Sequence, residues 1–312
     1  MAVGSPFTKL TKLFAIFTPS NQVHMICFPE VKINLGLEVL RKRPDGYHDL
    51  NTLFVPCKAY HDTLEIITGD DYSRTSSALA GKYSGDSLRQ AISPDGKLMI
   101  TIARAEGVDW DPLSDLTAKA YALLSQDFTM PCVKVFLEKT SPVGAGLGGG
   151  SSDAAAALGM LNSIASLGLD EAALAGYAAR LGSDCAFFIY GRPMLGEGRG
   201  EILTPVELPV LDGYELKVVV PEGIHVSTRE AYGGITPRED SRFAGPVHPM
   251  PFRKIFDLPV ESWKELLFND FETTVFALHP QLADIKASLY REGAAYASMS
   301  GSGSAVFGLF PR

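Results

Sequence analysis

Residues 141–157 read Ser-Pro-Val-Gly-Ala-Gly-Leu-Gly-Gly-Gly-Ser-Ser-Asp-Ala-Ala-Ala-Ala, a run of glycines that passes through paired serines into helix-forming alanines. Such a stretch has the residue types needed to hold an anion. Glycines let backbone N–H groups come close, Ser151 or Ser152 can cap a helix or offer a hydroxyl, and the helix N-terminus adds partial positive charge. The chemistry indicated is the binding of nucleotide phosphates. No Lys-Ser or Lys-Thr follows the glycines, so this is not a Walker loop. Gly144, Gly146 and Gly149 do satisfy G-x-G-x-x-G, with Asp170 about twenty residues on, which leaves a dinucleotide fingerprint open. The double serine and the long stretch ahead of the loop are foreign to that motif. A plain turn is disfavoured, because ordering so many glycines costs entropy that a mere connection need not spend.

The elements that position this loop are legible around it. Val133, Val135 and Leu137 alternate with Lys134, Phe136 and Glu138, the period of a strand, and the residues from Asp153 favour helix. A second alternation, Val31, Ile33, Leu35, Leu37 and Val39, predicts a strand that buries this set and turns Lys32 and Asn34 together to the other face. The Pro-Asp-Gly turn at 44–46 then returns the chain as a strand over 47–55, with Tyr47 and His48 just past the bend. Residues 69–96, rich in Asp, Ser, Gly and Lys, read as a surface excursion. Helices are expected over 115–126, 153–164 and 170–181, the last closed by Gly182 and followed by an apolar strand over 185–190. Further strands fall over 97–103, 214–220 and 296–310, and helices over 263–278 and 281–292. The pattern divides into an N-terminal extension, 1–24, with Met25 a plausible alternative start, then domains over 25–195 and 196–312.

With 312 residues, 46% of them hydrophobic, the chain can bury a sizeable core. A net charge of -8 argues against a nucleic-acid partner, which would need a basic face, and no stretch reads as a membrane span. Cys27, Cys57, Cys132 and Cys185 lack metal-ligand spacing and read as reduced, buried thiols of a cytoplasmic protein.

Three separated segments agree with one family. Pro29–Leu37 with Arg43-Pro44-Asp45-Gly46-Tyr47-His48, the loop Pro142–Ala156, and Ser300-Gly301-Ser302-Gly303-Ser304-Ala305 together resemble the galactokinase, homoserine kinase, mevalonate kinase and phosphomevalonate kinase superfamily. Within it, Lys-Ile-Asn-Leu, Pro-Asp-Gly-Tyr-His, Leu181-Gly182-Ser183-Asp184 and Glu197-Gly198-Arg199-Gly200-Glu201 resemble the branch that phosphorylates 4-diphosphocytidyl-2-C-methyl-D-erythritol in non-mevalonate isoprenoid biosynthesis. The resemblance runs from about Pro29 to Phe310. It implies an α+β fold of two domains, the N-terminal one like ribosomal protein S5 domain 2 and the C-terminal one ferredoxin-like, with the active site in the cleft between them. It implies ATP and Mg²⁺ as cofactors, a small-molecule substrate, and neither membrane nor obligate protein partner.

The resemblance also assigns residues. Lys32 and Asp184 match the catalytic pair, whereas pattern alone makes the first a solvated strand lysine and the second a turn residue. Phosphoryl transfer is mostly positioning and charge neutralisation, so a carboxylate to take the hydroxyl proton and an ammonium beside it would suffice. Pro142, Gly144, Gly146, Leu147, Gly148, Gly149, Gly150, Ser151 and Ser152 match the ATP loop. Asn34, Tyr47 and His48 match substrate contacts, the last two at the cytosine base. Tyr232 is either a second aromatic for the base or a core residue. Asp153 is a dipole-favoured helix residue or a Mg²⁺ ligand. Two departures stand out: Glu30-Val31 replaces a small residue ahead of Lys32, and Asp115 stands where the family commonly has Asn near the nucleotide. The alternatives are a homoserine or mevalonate type of kinase, a non-catalytic nucleotide sensor, and more distantly a dinucleotide-dependent oxidoreductase. The Pro-Asp-Gly-Tyr-His string speaks against the first, since those substrates have no base to stack.

Overall fold

A computed structural model describes residues 14–17, 23–69, 81–246 and 250–312. They form two compact units interleaved along the chain. The first takes the described residues of Met1–Val31, Tyr60–Ser141 and Gly149–Gly191; the second takes Lys32–Ala59, Pro142–Gly148 and the described residues of Arg192–Arg312. Two segments of the linear stretch 25–195, namely 32–59 and 142–148, thus pack with the C-terminal residues.

The strands up to the glycine loop are β1 (Phe14–Phe17), β2 (Val23–Cys27), β3 (Glu30–Lys42), β4 (His48–His61), β5 (Thr63–Thr68), β6 (Leu88–Ile92), β7 (Leu98–Arg104) and β8 (Val133–Lys139). In the first unit six of them make one sheet in the order β1-β2-β5-β8-β7-β6, antiparallel except for the parallel pair β7 and β8. Helices α1 (Leu116–Asp127), α2 (Gly149–Ile164), α3 (Glu171–Leu181) and α4 (Cys185–Tyr190) pack on one another, and α2 also lies against β2 and β5. Asp115 and Asp170 cap α1 and α3 as N-caps should, each accepting a backbone N–H from the first turn. That role accounts for Asp170 without a dinucleotide.

Several expectations are corrected here. The stretch 1–24 is not all featureless extension: β1 pairs with β2, Val23 and His24 belong to β2, and Met25 stands inside that strand; the other residues lie outside the described ones. Four residues are too few to show a period. Leu88–Ile92, inside the presumed surface excursion, is a strand on β7, while 70–80 lie outside the described residues. The apolar run 185–190 is a helix, closed by Gly191 in the left-handed conformation (φ 51°). Periodicity cannot separate strand from helix in so short a run.

The second unit contains a four-stranded sheet in the order β10-β9-β4-β3, with β9 (Met194–Glu197) and β10 (Ile202–Pro205). A three-stranded sheet, β11-β13-β12, is built from β11 (Tyr214–Val219), β12 (Tyr296–Met299) and β13 (Val306–Pro311). Helices α5 (Thr228–Gly233), α6 (Phe252–Ile255), α7 (Trp263–Leu266), α8 (Phe271–Leu278) and α9 (Pro280–Arg291) complete it, with α9 on β12 and β13. Leu37 and Val39 of β3 join Phe271, Val275, Leu282, Met299 and Val306 in its core. The helix expected over 263–278 is broken because 268–270 pairs with β3 instead: Leu37 N–H donates to the Phe268 carbonyl and Asp270 N–H to that of Leu37, both at 2.9 Å. The expected hairpin is present as β3 and β4. Its first strand, however, is buried on both faces from Val31 to Val39, so Lys32 and Asn34 do not face solvent.

Candidate active site

Lys32 lies near the start of β3 and is only 3% exposed. Its Nζ donates to Asn34 Oδ1 at 2.6 Å and to the Gly146 carbonyl at 2.9 Å, and sits 5.5 Å from the centre of the Phe54 ring. Asn34, two residues on and so on the same face, relays the contact inward. Its Nδ2 donates to Thr52 Oγ1 at 2.9 Å, and that hydroxyl donates to the Gly36 carbonyl at 2.7 Å. A buried ammonium is tolerable only where acceptors meet it, and this chain of acceptors also fixes its direction.

The glycine loop belongs to the same cluster. The Leu147 carbonyl accepts the Lys32 N–H at 2.9 Å, and the Ala145 carbonyl accepts the Ala305 N–H at 3.1 Å. Ser300 Oγ donates to the Gly146 carbonyl at 3.0 Å and accepts the Asn34 N–H at 3.3 Å. Gly146 is at φ +77°, and a Cβ there would lie 2.1 Å from the Ser300 carbonyl oxygen. Glycine is therefore required on steric as well as conformational grounds. The Ser300–Ala305 turn is held in turn by Asn269, whose Nδ2 donates to the Met299 and Gly301 carbonyls at 2.8 Å each. The three segments that carried the family resemblance are thus hydrogen-bonded together through residues 32–34, 145–147 and 300–305. Pro142 is half-buried, Gly144 lies on the exposed crest and Leu147 is buried beneath it.

Gly149, Gly150, Ser151 and Ser152 form the first turn of α2, earlier than the sequence suggested. Ser152 Oγ donates to the Glu30 carbonyl at 2.6 Å, which commits that hydroxyl to the chain and not to a ligand. Burial pushes the neighbouring Cys185 thiol up to about 11, against a hydrogen bond with Ser151. Asp184 stands just ahead of α4, in the first unit, and its carboxylate is not used as that helix's cap. Asp115 accepts from Thr117 N–H, Thr117 Oγ1 and Trp110 Nε1, at 2.9, 2.7 and 3.2 Å. Of the cysteines, all free, Cys132 is exposed, not buried as expected.

At the bend of the hairpin Tyr47 is 56% exposed, and the Arg199 guanidinium lies 5.0 Å from its ring centre. The turn that carries Arg199 is tied to β4 by Leu50 N–H donating to the Gly198 carbonyl at 2.7 Å. His48 stacks on Tyr232, centroids 4.7 Å apart and planes within 20°, and Tyr232 meets Phe271 edge-on at 4.7 Å. Burial and the nearby Lys42 lower the His48 pKa below 6.5, which favours a neutral ring that can both donate and accept. Thr52, Ser300 and Arg199 escaped assignment from sequence. The last two lie within strings that carried the resemblance, but hydroxyl and guanidinium directions are tertiary facts.

Comparisons with known proteins give the family. The model for the GHMP kinases N terminal domain matches residues 115–192 and that for GHMP kinases C terminal matches 258–312, which defines the class as small-molecule kinases. A 4-diphosphocytidyl-2-C-methyl-D-erythritol kinase of Bacteroides thetaiotaomicron is 45% identical over 92% of each chain, and that of a Bacteroides fragilis strain 44% identical over 92% of each. A solved 4-(cytidine 5'-diphospho)-2C-methyl-D-erythritol kinase is 31% identical, covers 91% of this chain and 90% of its own, and superposes with a TM-score of 0.65. The chain belongs to the 4-diphosphocytidyl-2-C-methyl-D-erythritol kinase family of GHMP kinases.

Proposed function

We propose that the chain transfers the γ-phosphoryl group of ATP to the 2-hydroxyl of 4-diphosphocytidyl-2-C-methyl-D-erythritol. The observation that carries this reading furthest is the pairing, on one hairpin, of a buried ammonium bonded to a glycine loop with an aromatic and imidazole pair at the bend. The substrate oxygen attacks the γ-phosphorus, the bond to the ADP oxygen breaks, and Asp184 takes the hydroxyl proton. Lys32 orients that hydroxyl and offsets the charge that develops. Loop residues 143–150 with Ser151 bind the ATP phosphates through backbone N–H groups and the start of α2, with Pro142 fixing the entry to the loop. Tyr47 stacks on the cytosine while neutral His48 hydrogen-bonds its edge, backed by Tyr232; Asn34 reaches the substrate beside Lys32.

Mg²⁺ does not fit the residue suggested for it. Asp153 is bound to Lys139 and buried, and among the described residues there is no group of three His, Cys, Asp or Glu that could hold a metal. We assign the ion to the phosphates of ATP, where Mg²⁺ is commonly carried. Among the described residues no helix is long and apolar enough to cross a membrane; a cytoplasmic site of action is part of the proposal. A coupled ADP-release assay with the cytidyl substrate, homoserine and mevalonate tests it: turnover should need the cytidyl compound. Turnover of homoserine or mevalonate instead, or of none, would refute it.

A further inference from the structure

Beneath the start of α2 lies a charged group that neither phosphate nor base recognition uses. Lys139, at the end of β8, is buried, and its Nζ donates to Asp62 Oδ2 and, at 2.5 Å, to Asp153 Oδ2. Both carboxylates are almost wholly buried, at 0% and 1% exposure. The other oxygen of Asp62 accepts the backbone N–H groups of Thr140 and Ser141, at 2.7 Å each. Gly149, the first residue of α2, passes directly over the group: a Cβ there would stand 3.6 Å from both Lys139 Nζ and Asp62 Oδ2. Burial works against the ammonium, but the two carboxylates outweigh it and hold Lys139 above the ordinary lysine range.

The three side chains come from three places: the bend between β4 and β5, the end of β8, and the start of the second turn of α2. Their contacts converge on the glycine loop. Thr140 and Ser141 are the last two residues before it, Gly149 to Ser152 are the first turn after it, and Asp153 follows that turn. Buried ion groups seldom repay their desolvation in stability, so this one calls for another return. A phosphate cradle supplies it, because donors aimed before the ligand arrives need no reorganisation when it binds.

We propose that Asp62, Lys139 and Asp153 are positioning residues for ATP, a clamp that pins both ends of the loop Pro142–Gly148 so that its N–H groups are set before the nucleotide binds. The inference rests on the reading of that loop as the ATP site. Asp153 then acts through Lys139 and touches no metal.

The test uses the full chain with Asp153→Asn, and with the triple change Asp62→Asn, Lys139→Met, Asp153→Asn, which removes all three charges and so leaves none buried alone. In the free enzyme, amide hydrogen exchange at 140–150 should quicken about tenfold in Asp153→Asn while the rest of the chain keeps its protection. KM for ATP should rise by a similar factor, and KM for the cytidyl substrate should hold. The triple variant, if folded, should show the same split. If it does not fold, Asp153→Asn decides alone. Unchanged exchange and unchanged KM for ATP, or an equal rise in both KM values, would overturn the clamp. Protection of 142–152 in the wild-type chain by a non-hydrolysable ATP analogue checks the loop reading separately. Absence of that protection removes the loop reading and the clamp with it; protection with indifferent variants removes the clamp alone.

Discussion

The two ends of the hairpin formed by β3 and β4 are built on opposite principles. At the base, Lys32, Asn34 and Thr52 are buried and hydrogen-bonded in series to backbone carbonyls, so each side chain has one position. At the bend, Tyr47 is exposed, and the turn is closed by ion pairs of Arg43 with Asp45 and Asp49 and of Arg41 with Asp49, with Arg41 and Asp45 exposed and Arg43 and Asp49 partly buried. Exposed pairs of this kind contribute little to stability. The base suits a step in which an atom must be placed before reaction; the bend suits recognition of a flat base by a ring that can adjust. On the proposed function, one hairpin would separate rate from selectivity.

That division can be broken by kinetics. The largest effect is expected for Asp184→Asn, which keeps size but cannot take the proton, so kcat should fall roughly 10² to 10⁴-fold with both KM values near wild type. Near-normal turnover in a folded variant would remove Asp184 from the chemistry. Lys32→Met, close in length and uncharged, should lower kcat by about 10² to 10³-fold. On the proposed mechanism, in which both residues would serve one hydroxyl, the double variant should lose less than the product of the two. If Lys32→Met raised KM for the cytidyl substrate instead, the base would be a binding end too.

At the bend the order should reverse. Tyr47→Ala should raise KM for the cytidyl substrate about 5- to 150-fold, the range of a lost stacking partner, and leave kcat and KM for ATP in place. Arg199→Ala should raise it about two- to fivefold, as expected for a half-buried cation over an exposed ring, with Arg199→Lys in between. A drop in kcat in either would blur the contrast. The pH dependence sharpens it further. The His48 pKa lies below 6.5, so the neutral ring persists through neutrality and is lost only as pH falls beneath that value. KM for the cytidyl substrate should therefore be flat from neutral pH upward and rise in acid, and His48→Gln should flatten the acid limb.

How much of this was legible varies with the range of the interaction. The hairpin, the strand-loop-helix around 133–164 and the helices beginning near Asp115 and Asp170 could be read because period and turn chemistry are local. The polarity of Lys32 hid its burial: alternation shows which side chains share a face, but not that a second surface covers that face. Cys185–Tyr190 misled because six apolar residues fit strand and helix alike. The joining of Lys139, Asp62 and Asp153 could not be read, since Asp62 and Lys139 are 77 residues apart and no local pattern links the three. The helix expected over 263–278 failed because pairing with β3 outweighed local propensity.

The interleaving of the two units bears on how the chain must assemble. In β4, Leu53 and Phe54, both buried in the finished protein, pair with Leu195 and Met194 of β9. A ribosome adding about 5 to 20 residues per second brings that partner strand out on the order of ten seconds after the hairpin. Through that interval β4 presents an apolar face and an open edge, the two features that invite pairing with another chain. No single cut of the backbone can relieve this, because residues 192–312 alone lack half of the sheet β10-β9-β4-β3. Yield from recombinant synthesis should accordingly depend more on slowing aggregation of nascent chains than on the stability of the folded enzyme.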